Sequence, residues 1–213
     1  MSALRPDLAI IADHIEAGAR VLDIGCGDGD LMAELRARKQ VDARGLEIDA
    51  ERVADAVGRG LPVVQGDAGR DLADYPGASF DYVVLSQALQ TMARPDETLG
   101  QLLRIGKAAF VSFPNFAHWR VRANLAFRGR MPVNRTLPES WYETPNIHHL
   151  TIADFRTLAR RRGFGIGRAW YLTDGKVRGE RSANLMADQA VFLLAGGSAA
   201  GGDTLGDQAV RDP

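Results

Sequence analysis

Apolar residues in this chain come in short runs, and between the runs they recur every three or four positions. Residues 20–25, 44–49, 62–67, 80–86 and 108–114 are strand-length runs dominated by Val, Leu, Ile and Phe. Residues 6–16 place Leu8, Ile11 and Ile15 at helical spacing. A second helix starts near Asp28, carries Leu31 and Leu35, and ends on Arg36, Arg38 and Lys39, where the helix dipole favours cations. Asp49 is placed to cap a helix running to about residue 58. Residues 95–105 and 152–162 also have helical periodicity, the latter with Phe155, Leu158 and Ala159 on one side. Two further strands, 165–172 and 186–194, are joined by a Thr-Asp-Gly turn and a polar stretch with no helical period, which suits an antiparallel final pair. Strands alternating with helices predict an α/β fold: a mostly parallel, doubly wound sheet covered on both faces. Residues 1–195 form one domain on this reading. Residues 196–213, rich in Gly, Ala, Ser and Asp, have neither period and read as a disordered tail.

Composition changes this picture little. The chain has 213 residues, 46% hydrophobic and 25% charged, which is ordinary for one soluble domain. A net charge of −1 gives no electrostatic footprint for nucleic acid. The lone cysteine, Cys26, rules out an internal disulfide and fits a reducing compartment. No basic segment followed by an apolar run opens the sequence, and no apolar stretch reaches about 18 residues. A cytoplasmic protein with no membrane span is therefore expected. His118, His148 and His149 form no zinc-like spacing, so no metal is expected.

The most informative chemistry lies at residues 21–29, Val-Leu-Asp-Ile-Gly-Cys-Gly-Asp-Gly. A strand ends here in a turn built on Gly25, Gly27 and Gly29, and a helix follows. Glycine is required where backbone turns tightly or approaches a ligand. The spacing is G-x-G-x-G; Asp30 occupies the place of the third glycine in a dinucleotide fingerprint. Asp28 and Asp30 would repel a pyrophosphate but tolerate a phosphate-free cation. S-adenosylmethionine (SAM), with its sulfonium and ammonium, meets that description, and its phosphate-free product S-adenosylhomocysteine (SAH) is expected to bind as well.

In a doubly wound sheet ligands sit beyond the carboxyl ends of the strands. Asp23 and the glycine turn end the first strand. Glu47, 22 residues after Gly25, ends the second, where a carboxylate accepts hydrogen bonds from ribose hydroxyls; the alternative is a solvated surface acid. Asp67 ends the third and is placed either to accept from an adenine amino group or to cap the next turn. Ser86 and Gln87 end the fourth and face either the cofactor's methionine part or a substrate, or cap a helix. With the neighbouring Cys26, Ile48 and Ala68 these residues make the expected cofactor-binding set. In this order they resemble the class I SAM-dependent methyltransferase fold, which implies a seven-stranded sheet and the cofactor position.

Residues 115–150 interrupt the alternation. They hold Arg120, Arg122, Arg128, Arg130 and Arg135 against Glu139 and Glu143, with two of three tryptophans and three of four histidines. A long aromatic, basic excursion at the ligand edge is usually a lid, an anion site or a docking surface; the alternative is a locally packed excursion with solvated arginines. Residues 79–90, 111–119 (Val-Ser-Phe-Pro-Asn-Phe-Ala-His-Trp), 129–133 (Gly-Arg-Met-Pro-Val), 141–148 (Trp-Tyr-Glu-Thr-Pro-Asn-Ile-His) and 151–155 resemble the methionine biosynthesis protein MetW family. The family pattern departs at Ala88, Ala117 and His149. The resemblance implies a SAM-binding, methyltransferase-like protein of methionine biosynthesis that supports or regulates a homoserine O-acyltransferase, contacted through residues 115–150. The chain has no G-x-S-x-G nucleophile elbow of its own. The competing expectation is a SAM-dependent methyltransferase acting on a small molecule, for which no catalytic base declares itself.

Overall fold

The computed structural model describes residues 4–134 and 137–195. Arg135 and the expected tail at 196–213 lie outside the described residues.

The first half is a regular strand–helix alternation. Helix α1 (Pro6–His14) leads to β1 (Arg20–Ile24), α2 (Asp30–Lys39), β2 (Asp42–Glu47), α3 (Ala50–Gly58), β3 (Val63–Gln65), the short α4 (Ala68–Asp71) and β4 (Phe80–Ser86). Helix α5 (Pro95–Ile105) and β5 (Gly106–Pro114) complete it. Asp49 caps α3 as its sequence position indicates, its Oδ1 accepting from the Glu51 and Arg52 amides. Pro95 opens α5 with the proline that the first turn tolerates, and Gly106, at its end, starts the next strand.

Eight strands form one sheet in the order β3-β2-β1-β4-β5-β8-β6-β7. The first five are parallel; β8 (Gln189–Ala195) runs antiparallel between β5 and β6 (Gly165–Thr173). The expected antiparallel pairing of the last two long strands holds, but the described residues form eight strands rather than seven. The Thr173-Asp174-Gly175 turn does not lead directly to the last long strand. It closes a hairpin onto β7 (Lys176–Arg178), and a one-turn helix, α8 (Ala183–Met186), precedes β8. Gly175 at φ +77° lets that turn reverse. Residues 176–178 are all exposed, so no apolar alternation marked them. Met186 belongs to α8, and the last strand starts three residues later than its apolar pattern suggested.

Strand alternation divides the core into two layers. Val21, Val84, Phe110 and Val191 face α1 and α2 and meet Leu8, Ile11, Ile15, Leu31 and Leu35. Leu22, Val83, Leu85 and Val111 face the other way, onto Leu99, Leu102 and Ile105 of α5 and Phe155 of α7 (Ile152–Arg162). Phe113, Phe155 and Phe192 pack as a triangle with ring centroids 4.5–5.7 Å apart. Truncating any of these rings to Ala would cost about 3–5 kcal/mol.

The excursion after β5 is not wholly irregular. Residues Trp119–Arg128 form a helix, α6, capped by His118, whose Nδ1 accepts from the Arg120 amide at 3.3 Å. Only Val121 of this helix is buried. A helix that rests on one apolar contact has no stripe to read in sequence.

Candidate functional site

The carboxyl ends of β1 and β4 and the start of α1 enclose a cleft of about 570 Å³. Gly25 and Gly27 form one wall at φ +67° and +57°, and Gly29 behind them, at φ +80°, packs against Leu61, all conformations that favour glycine. A Cβ on Gly27 would meet only Arg52 Nη1 at 3.6 Å, so the space in front of this turn is not filled by protein. Asp23, Cys26 and Ser86 line the same cleft.

Glu47 does not line the cleft; it holds the cleft's wall. It is 6% exposed. Its Oε2 accepts the Gly27 amide at 2.8 Å, and its Oε1 accepts the Ile48 and Asp49 amides at 2.8 and 3.1 Å. The carboxylate thus ties the glycine turn of β1 to the end of β2. Ile48 points outward and is exposed. Asp67 and Ala68 stand at the end of β3, two strands from β1. There Asp67 caps α4, its Oδ1 accepting from Gly69 N at 2.8 Å, which is the turn-capping alternative of the sequence. Gln87 follows β4 at φ +55°, a conformation side chains seldom adopt; its amide is held by the Ser112 carbonyl and hydroxyl. Of the expected set, Asp23, Gly25, Cys26, Gly27 and Ser86 meet in the cleft, with Gly29 and Glu47 supporting it. Ile48, Asp67, Ala68 and Gln87 are not on its wall.

Two residues of this site had no sequence signal. Asp7, in the first turn of α1, is 1% exposed, and its Oδ2 accepts the Ser86 and Ser112 hydroxyls at 2.7 and 2.8 Å. Arg5 donates from Nη2 to Ser86 Oγ at 2.6 Å. These contacts join positions 79 to 105 residues apart, which no local pattern reports.

Burial pushes the Asp23 carboxyl up to about 7; Arg5 pulls it down, while Glu47 and Asp7 push it further up. Near neutrality Asp23 is therefore poised between its two forms. Burial, with Asp23 and Glu47 adding to it, also pushes the Cys26 thiol up to about 12, so it stays protonated and a weak nucleophile. Six carboxylates line the cleft (Asp23, Asp28, Asp30, Asp49, Glu51 and Asp55) against Arg5 and Arg52. Such a wall repels phosphate and suits a ligand that carries positive charge. The volume falls in the range of small-molecule sites, about 300–1,000 Å³. A SAM-sized cation fits both its space and its charge.

Residues 115–150 make a different surface. Phe127 is 88% exposed and Trp141 76%, and Tyr142, Val133 and Ile147 are also exposed. In the same segment a groove of about 480 Å³ is lined by Phe116, Val121, Leu125, Met131 and Trp141, among others. Arg120 lies over the Trp119 ring, 5.4 Å from its centroid, and Arg122 Nε donates to the Ala117 carbonyl at 2.6 Å. Among the described residues no three His, Cys, Asp or Glu side chains are grouped to hold a metal ion, and no helix is long and apolar enough to cross a membrane.

The family model described as methionine biosynthesis protein MetW matches residues 5–194. The chain belongs to the MetW family. A relative in Rhodopirellula baltica, described as a bifunctional methionine biosynthesis protein MetXA/MetW, is 34% identical over 203 residues. That match covers 90% of this chain and 33% of the relative. A demethylmenaquinone methyltransferase of Symbiobacterium thermophilum is 26% identical over half of this chain and 51% of its own length. This MetW-family chain thus spans a third to a half of the length of these curated relatives.

Solved structures confirm the class I methyltransferase fold. A SAM-dependent methyltransferase from Archaeoglobus fulgidus superposes with a TM-score of 0.67 at 16% identity, covering 90% of this chain and 92% of that one. One from Mesorhizobium loti gives 0.63 at 21%, covering 88% and 95%. The [4+2]-cyclase SpnF gives 0.64 at 16%, covering 88% and 79%. A cyclase on the same fold shows that the fold alone does not fix the chemistry.

Proposed function

We propose that this MetW-family chain binds SAM or SAH in the β1–β4 cleft and supports or regulates a homoserine O-acyltransferase docked on residues 115–150. The observation that carries the acyltransferase half is the MetXA/MetW relative, in which a MetW-like portion shares one polypeptide with a second activity. The cofactor half rests on the open glycine turn, the acid-rich wall and the volume of the cleft. Asp23, Gly25, Cys26, Gly27 and Ser86 would contact the ligand. Glu47 would act through the glycine turn, holding Gly27 in place with its Oε2. Bound SAM would supply an electrophilic methyl group. The protein's own part is to orient the ligand and exclude phosphate-bearing competitors.

A regulatory ligand must favour one of two states of the complex. SAM lies downstream of methionine, so its occupancy of the cleft would report pathway output to the acyltransferase. The alternative activity, methyl transfer from SAM to a small molecule, would use the same cleft.

One experiment separates the readings. The chain is purified with and without a homoserine O-acyltransferase from the same organism. Acyl transfer is measured with and without SAM, and SAH production is followed across candidate acceptors. Acyl transfer that rises when the chain is added supports the proposal. SAH production with no effect on acyl transfer replaces it with the methyltransferase reading. No calorimetric heat and no thermal shift with millimolar SAM removes the cofactor half.

A further inference from the structure

The cleft and the 115–150 face meet at one short turn. Strand β4 ends at Ser86, which lines the cleft, and the chain then enters a single tight turn at Leu89–Thr91. On the cleft side, a Cβ on Gly25 would meet Ala88 Cβ at 3.5 Å, so Ala88 stands against the glycine turn. Gln87 is fixed at φ +55° by the Ser112 carbonyl and hydroxyl, and its own carbonyl accepts from Gln90 Nε2 at 2.7 Å. On the far side, the Gln90 carbonyl accepts two amides of the excursion, Ile147 N and His148 N, both at 3.0 Å. His149 packs edge-on against Phe116, ring centroids 4.7 Å apart, and lines the apolar groove together with Trp141. Residues 86–90 thus bridge the glycine turn and the wall of the groove.

This junction is incompletely bonded. Gln90 is 4% exposed, yet its Oε1 has no hydrogen-bond partner among the described residues, and neither has the buried Nε2 of His148. A buried polar atom without a partner costs more than its hydrogen bond would add, so native structures keep few of them. Here the two orphans belong to residues that already touch through the Gln90 carbonyl and the His148 amide. An amide oxygen accepts and an imidazole Nε2–H donates, so a small shift that brings them together satisfies both. Packed elements make such shifts between discrete arrangements rather than by degrees.

Resting on the SAM reading above, we infer that residues 87–90 and 147–148 form a two-position latch that carries occupancy of the cleft to the 115–150 face. A ligand seated against Gly25 crowds Ala88, the turn shifts, and Gln90 Oε1 accepts from His148 Nε2. The chain at 147–149 moves with it, and so does the groove wall that His149 provides. By linkage, whatever binds the groove of the shifted form tightens the ligand in return.

The test reads the junction itself, with SAH as the probe. Binding is measured calorimetrically, and amide hydrogen exchange is followed in the full chain with and without saturating SAH. Exchange at Ile147 and His148 is compared with that of the β6 amides, which register any stabilisation of the whole fold by ligand. In the wild type, SAH is expected to slow Ile147 and His148 at least about fivefold more than β6, the factor that one regained hydrogen bond gives. Gln90→Met and His148→Leu each remove one orphan and keep the backbone bonds, with melting temperatures to verify folding. Neither side chain lines the cleft, so both variants should bind SAH within about twofold of wild type and lose the exchange difference. Wild-type protein that binds SAH without that difference overturns the inference and leaves the SAM reading standing. So does a folded variant that keeps the difference, or one that loses SAH affinity. Wild-type protein that does not bind SAH overturns the SAM reading itself, and the latch with it.

Discussion

The two surfaces at the carboxyl edge of the sheet are built on opposite plans. The cleft is a polar wall under tight constraint: Glu47 serves three backbone amides, Asp7 gathers two hydroxyls, and the glycines take conformations other residues resist. The 115–150 face is apolar and loosely tied, with one buried residue in α6 and with Phe127 and Trp141 turned to solvent. In the first, each change disturbs the fold as well as any ligand. In the second, side chains can be removed with little effect on the fold, so a loss there would report recognition alone. Exposed apolar side chains of this size are costly to keep unless something covers them.

Mutations can break that contrast, and the largest effect should come from the cleft. Glu47→Ala leaves the Gly27, Ile48 and Asp49 amides without their buried acceptor, so a loss of about 3 kcal/mol in urea unfolding is expected. An unchanged midpoint would show that the turn does not depend on Glu47. Next in size is the apolar face. Phe127→Ala with Trp141→Ala should change folding stability by less than about 0.5 kcal/mol. The same pair should weaken acyltransferase association by about 2 kcal/mol or more, the loss expected at a hot spot. If the pair instead unfolds the chain, the face is core and the contrast fails. Arg122 is a poor probe of that association, because it braces its own loop at Ala117.

Ser112→Ala removes one of two hydroxyl donors to the buried Asp7, for about 1 kcal/mol in the same unfolding assay. The smallest effect should be a pH dependence. Asp23 is held up at about 7, so between pH 6 and pH 8 the free protein loses a proton there. A cationic ligand favours the charged form, so SAM affinity should rise across that window by less than about tenfold, with proton release on binding. Asp23→Asn should flatten the rise. A profile that stays flat in the wild type would place the ligand's charge away from Asp23.

How much of this was legible in the sequence depends on the range of the interaction. Strand β4 and helices α5 and α7 have the predicted boundaries, because their apolar periods are strong and Pro, Gly or Thr residues mark their ends. Helix α6 was hidden by its arginines and its single buried residue, and β7 by full exposure. The glycine turn and Asp23 could be placed because they are contiguous. Glu47 was located correctly at the end of β2, but its hold on Gly27 could not be read, since it depends on how β1 and β2 pair. Arg5 and Asp7 carried no local mark at all. Their role exists only once α1 has folded over the ends of β4 and β5.

The position of β8 has a consequence for how the molecule is made. It lies between β5 and β6, yet it is drawn from later in the chain than either. While residues 189–195 are still inside the ribosome, β5 and β6 cannot be bridged, and each presents an unpaired edge. The nascent protein therefore passes through an open-sheet stage in which Phe110, Phe113 and Phe155 lack their last partners. That interval is when a chaperone or another nascent chain would find it most adhesive.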